Sequence, residues 1–134
     1  MRPKFRAWDS AKKEMFKDTF AITESGQVVV VEQEDVMSPP DYVFVDHLVI
    51  MQSTGLFDRN GQEIFEGDVL ELYDCGETIG NVKAYWDGSL GAFMLDAIVV
   101  DDREPMYKVI DDEDFSYSVI GNIYENPELL EEKK

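Results

Sequence analysis

The stretch QSTGLFDRNGQEIFEGDV, Gln52 to Val69, is the best-punctuated part of the chain, and its reading sets the fold. Asp58-Arg59-Asn60-Gly61 places Asn-Gly, a dipeptide that tolerates two successive positive φ values, between apolar runs, which predicts a tight β-hairpin. Phe65-Glu66-Gly67-Asp68-Val69 then interrupts an apolar run with Gly and follows it with an acid. That pattern predicts a sharp bend into a strand over 68–73. A metal site on Asp58, Glu66 and Asp68 is the competing reading; turns select Asp and Gly for backbone reasons, and the 12-residue calcium-loop spacing is missing.

Outward from this stretch the chain reads as strands and turns. Upstream, Lys4-Phe5-Arg6-Ala7-Trp8 alternates with period two, Asp9-Ser10 breaks it and Met15-Phe16 resumes, predicting a first hairpin. A second is predicted from Phe20-Ala21-Ile22 and the run 27–31 around Glu24-Ser25-Gly26, and Glu32 to Met37 suits a short helical turn. Ser38-Pro39-Pro40-Asp41 halts regular structure and is taken as the seam between an N-terminal hairpin region, 1–40, packed on the core, and a C-terminal part, 41–134, the two forming one folding unit. Tyr42 to Met51 is dense in β-branched and aromatic residues, so part of it is expected as buried strand; its His47, the only histidine, lacks zinc or hydrolase spacing and is read as structural.

Downstream, Leu70 and Leu72 share a strand face, as do Val82, Ala84 and Trp86, with Cys75-Gly76 and Gly80 marking the loop between them: a β-meander. Trp86-Asp87-Gly88 reads as a turn, Ala92 to Leu95 as strand, and Ala97 to Val100 as more of the apolar pattern. The acidic runs 101–105 and Asp111-Asp112-Glu113-Asp114 read as solvated breaks. Tyr117 to Tyr124 returns to strand, with Gly121 permitting a bulge or a close approach, and Asn126-Pro127-Glu128-Leu129-Leu130 reads as a helical turn capped by Asn126; the tail from Glu131 is read as frayed.

Composition bounds the function. The chain has 134 residues, 44% of them apolar and 12% aromatic, enough for one core; 29 acids against 12 Lys or Arg leave a formal charge of −17. Such a surface repels phosphates, so nucleic acid is not an expected partner, whereas a basic patch on another protein is. Residues 1–17 run the other way, with six Lys or Arg and two acids, and are expected to pack on acidic neighbours or to form a solvated strand face. One cysteine, no signal-peptide core and no run approaching the roughly 20 apolar residues of a membrane helix place the protein in the cytoplasm. No phosphate loop, nucleophile elbow, Cys-x-x-Cys pair or His-Glu-x-x-His motif is present; the reading is no enzyme and no cofactor. Two readings compete with it. One is a carboxylate-based or metal-dependent enzyme, and the other is an acidic DNA mimic that inhibits a host nucleic-acid-binding protein through Asp111, Asp112, Glu113 and Asp114.

Three blocks, residues 4–9, 51–68 and 119–130, in this order and spacing resemble the YopX family, small proteins encoded by bacteriophages and prophages. The resemblance implies a mainly-β fold (a β-rich α+β class) with a C-terminal SH3-like barrel or roll, and a tendency to self-associate as a homo-oligomer. The family's recurring residues fall on Gly55, Asp58, Gly61, Gly67, Asp68, Gly121 and Asn122; together with Trp8 and Asn60 these are read as structural motif positions and not as catalytic groups.

Overall fold

The computed structural model describes residues 4–16, 19–97, 103–110 and 112–130. Strand takes up 58% of the structure, which makes it mainly β, and it contains a sheet curled into a half-barrel. The chain divides into two compact units, residues 5–51 and residues 52–134, the latter taking in residues 1–4 as well. The boundary falls between Met51 and Gln52, not in the Pro-Pro stretch, for a reason the strand pairing makes plain: Ser38-Pro39-Pro40 is a connection between two strands that pair with each other.

In the first unit, β1 (Phe5–Asp9) and β2 (Glu14–Phe16) form the predicted hairpin, with Trp8 opposite Met15. Asp9 closes its loop by accepting the N–H groups of Ala11 and Lys12, a local bond that explains why an acid ends the strand. Strands β3 (Phe20–Ile22), β4 (Val28–Glu32) and β5 (Asp41–Val45) make an antiparallel sheet in that order. The helical turn expected over Glu32 to Met37 is absent. Asp35 instead accepts the N–H groups of Met37 and Ser38 in a bend, satisfying locally what a helix would have satisfied along its axis.

The second unit is built on β8 (Asp68–Asp74), β9 (Glu77–Asp87), β10 (Ala92–Ala97), β11 (Arg103–Pro105) and β12 (Phe115–Asn122), in the sheet order β11-β10-β9-β8-β12. β6 (Leu48–Phe57) begins in the first unit and ends in the second, where it pairs with β7 (Glu63–Phe65). Ile64, Leu70, Leu72, Val82, Ala84, Leu95 and Met106 are buried as one core, with the period-two spacing read from the sequence in β8 and β9. Trp86 continues that face at the end of β9 but is 44% exposed, stacked edge-on against Phe93, its partner in the register.

Two expectations change here, and one element is added. Residues 103–105 of the acidic run are not a loop but β11, paired with β10 so that Leu95 faces Glu104; the Glu104 charge sits on a sheet edge, where it discourages further pairing. α1 (Met106–Ile110) follows directly and drops Met106 into the core, an element that five residues of local pattern could not announce. Gly80 lies inside β9, whose loop to β8 is only Cys75-Gly76; the strand absorbs it with a register shift opposite Leu72 and Tyr73. Positions 98–100, 101–102 and the tail from Glu131 lie outside the described residues.

Candidate functional site

The central loop was expected to be the two-residue mirror-image turn that Asn-Gly favours. Gly61 does adopt a positive φ of 82°, but Asn60 does not. Gly61 donates to the carbonyl of Asp58 at 3.0 Å and Asp58 donates to that of Gln62 at 2.8 Å, so the loop is an ordinary turn followed by one left-handed glycine. The mirror-image turn occurs instead at Cys75-Gly76, where φ is 50° and 87° and Asp74 faces Glu77 in the register.

Asp58 is 7% exposed, and its carboxylate is consumed by backbone. Oδ1 accepts the N–H groups of Asn60 and Gln62 at 2.9 and 2.8 Å; Oδ2 accepts that of Val119 in β12 at 2.9 Å. Burial pushes its pKa up, but the N–H groups of Val119, Gln62 and Asn60 and the Asn60 side-chain amide outweigh burial, and the net value lies below the ordinary one. Burial, then the Asp58 charge, raises the neighbouring Tyr117 phenol.

Gly67, Asp68, Gly121 and Asn122 are brought together where β8 and β12 pair. Gly67, at φ 85°, donates to Ala84 and accepts from Ile123, and Asp68 faces Asn122 in the register. Oδ2 of Asp68 accepts the Phe65 N–H, and Oδ1 of Asn122 accepts those of Tyr124 and Glu125. Gly121 follows a register shift, and a Cβ there would come within 2.5 Å of Asn126 Oδ1. Asn126 uses that oxygen to accept the N–H of Asn122 and not to cap the 3-10 turn over Pro127–Leu130. Gly55, at φ 78°, lies in β6 and donates to the hydroxyl of Ser53, and Trp8 is buried in β1 of the other unit. Glu66 accepts the N–H of Gln52. The acids weighed as metal ligands thus hold the chain's own N–H groups, and among the described residues no three His, Cys, Asp or Glu converge on a metal position.

Asp112, Glu113 and Asp114 form the exposed entry to β12, where Asp112 Oδ1 accepts the N–H of Asp114; Asp111 lies outside the described residues. Asp114 and Asp112 add a cost to the ionisation of Cys75. Its exposed thiol is raised above the ordinary value by a hydrogen bond with Asp74, then by the charges of Asp114 and Asp74, by burial and by the charge of Asp112. His47 Nε2 lies 3.4 Å from Asp9 Oδ2.

Of the run 42–51, part of which is expected as buried strand, the buried part is Met51 in β6; the surface that sequence reasoning did not mark is β5. Tyr42, Val43 and Phe44 are 67%, 39% and 66% exposed, and no described strand pairs with its outer edge. Beside it opens a cleft of about 620 Å³ lined by Gly26, Val28, Phe44, Asp46, Leu48 and Ile50. A hydrophobic strand pattern signals pairing, but not whether a layer covers it.

The half-barrel sheet and its backbone-holding carboxylates define a class: a small mainly-β protein whose distinctive motif residues build turns. Within that class the chain belongs to the YopX protein family, which it matches over residues 4–131. Among solved structures it is similar to protein EF1440 from Enterococcus faecalis, with 34% identity over 98% of this chain and 99% of that one and a TM-score of 0.62. It also shares the fold of protein yopX from Bacillus subtilis, with 20% identity over 96% of this chain and 98% of that one and a TM-score of 0.67. No curated protein matches the chain. Among the described residues no helix is long and apolar enough to cross a membrane.

Proposed function

We propose that this chain is a non-enzymatic binding or assembly module of phage or prophage origin, working in the cytoplasm as a homo-oligomer through protein contacts. On this reading the curled sheet is an SH3-like roll that serves as a rigid support. The observation that carries it is the β3-β4-β5 sheet, which among the described residues ends in two unpaired edges. Unpaired N–H and C=O groups on an edge are templates for another strand. β3 is the edge that favours a second copy: Thr19 to Thr23 contains no charged residue, and Ile22 is 37% exposed. A symmetric pair is the simplest closed arrangement.

Light scattering across a wide concentration range tests this. The expected result is a mass at a multiple of the single chain, reduced to one chain by Ile22→Lys, since an edge lysine blocks strand pairing. A single-chain mass for the unmodified protein at every concentration overturns the oligomer.

A further inference from the structure

The second open edge, β5, has a different chemistry from β3. Its two ends are acidic and its middle is aromatic. At one end Asp41 faces Glu32 across the β4–β5 register, a like-charge pair that destabilises a sheet unless a cation lies beside it. At the other end Asp46 lines the cleft together with Phe44, Leu48 and Ile50. Between them Tyr42 and Phe44 project from one face of the strand, each about two-thirds exposed.

We propose that β5 is a docking edge for an extended segment of a partner protein that carries two Lys or Arg residues about five positions apart with apolar residues between them. The segment adds to the sheet as a fourth strand beside β5. Its backbone takes the N–H and C=O groups that β5 turns outward, its apolar side chains cover Tyr42 and Phe44 and enter the cleft, and its two cations reach Asp41 with Glu32 at one end and Asp46 at the other. The spacing follows from strand geometry: residues five apart on an extended chain lie roughly 17 Å apart, so cations at that interval match Asp41 and Asp46 in either strand direction. A second copy of this chain is the poorer occupant. Antiparallel β5–β5 pairing centred between Val43 and Phe44 would set Asp41 against Asp46, and the whole chain carries −17. This assignment deepens the binding-module reading above and rests on it, but it uses the opposite edge of the sheet from the one assigned to self-association.

The probe is a capped, fluorescein-labelled peptide, Gly-Lys-Val-Thr-Phe-Val-Lys-Gly, with a matched peptide in which both lysines are glutamate. Anisotropy titrations at low and at physiological salt are expected to show binding of the lysine peptide that weakens with salt, and none of the glutamate peptide. Asp46→Asn should weaken the lysine peptide roughly two- to fivefold, the size of one partly exposed ion pair, and flatten the salt dependence. Phe44→Ser should weaken it at all salt concentrations, whereas Glu113→Gln, far along the chain in an exposed acidic loop, should change nothing. Amide hydrogen exchange with saturating peptide should slow over residues 41–45.

No binding of the lysine peptide, equal binding of both peptides, equal weakening by Glu113→Gln and Asp46→Asn, or exchange protection that bypasses β5 would each overturn the assignment. Circular dichroism of every variant separates lost binding from lost fold. Failure of the peptide with an oligomer still seen by light scattering removes only the β5 edge. A single-chain mass with the peptide bound removes only the β3 contact.

Discussion

Asp58 accepts the backbone N–H of Val119 across 61 positions of sequence, so one buried carboxylate ties the central turn to the last strand of the sheet. Because the same group also holds the N–H groups of Asn60 and Gln62, truncating it strands three donors at once. Asp58→Ala should therefore destabilise the protein by about 2–4 kcal/mol, measured by urea unfolding. Asp58→Asn keeps one acceptor and turns an N–H₂ group toward a donor, so it should lose nearly as much. A change below about 0.5 kcal/mol, the scale of an ordinary surface substitution, would mean that the Val119 bond does not form in solution.

The same carboxylate sets an acid limit. Asp58 and Asp9 both have folded pKa values below the 3.8 of the free group. For Asp9 the chief cause is the N–H of Lys12; burial opposes it, and the bonds to His47 and Ala11 assist. A carboxyl with a depressed folded pKa stabilises the fold above its unfolded pKa, and that contribution disappears as pH falls through the folded value. The urea midpoint should hold steady from about pH 7 to pH 5 and fall below about pH 4, with a shallower fall in Asp58→Asn. An identical slope in that variant would remove Asp58 as a source of the acid sensitivity.

Gly61→Val and Gly67→Val separate two kinds of cost. A Cβ on Gly61 would meet nothing within 4 Å, leaving only its φ of 82° to resist, so about 1 kcal/mol is expected. Gly67 is held on both sides by backbone bonds to Ala84 and Ile123 and cannot relax, so its loss should reach about 2–3 kcal/mol. Unchanged melting temperatures for both would refute the turn geometry.

Cys75 is a non-glycine residue at φ 50°, a region in which Asn is at ease and β-branched residues are not. Cys75→Asn should raise stability by a few tenths of a kcal/mol or more and Cys75→Val should lower it by about 1–2 kcal/mol. Asn60→Ala offers the contrast, since Asn60 has no positive φ; its effect should be limited to its side-chain amide, which bonds the Asp58 carboxylate and makes a long 3.4 Å contact with Ser118. A thermal melt in which Asn60→Ala is the more damaging change would restore the mirror-image turn to the central loop.

Gly121 is constrained by its neighbours and not by its own φ. Gly121→Ala puts a methyl where Asn126 and Leu129 already sit and should cost about 1–3 kcal/mol, part of it recovered when Asn126→Gly is added. Strict additivity of the two changes in a double-mutant cycle would show that the contact is absent.

The sequence by itself determined the local punctuation. Asp9, Asp35, Asp87 and Asp112 each accept an N–H two or three residues on, so the bonds that shape these turns and bends are contained within a few positions. The same holds for the period-two burial of Leu70, Leu72, Val82 and Ala84. The tertiary structure decided what depends on distant partners. Asn-Gly at 60–61 could serve more than one turn, and the anchoring of Asp58 by Val119 accompanies the one adopted. Arg103-Glu104-Pro105 became a strand because β10 offered it an edge, and Met106 became core because it opens the short helix α1 and is buried with Leu95 and its neighbours. Tyr42 and Phe44 have the composition of a buried strand and lie exposed. Periodicity records that a strand has an apolar side; whether that side is covered depends on which other layer the fold, or a partner, brings against it.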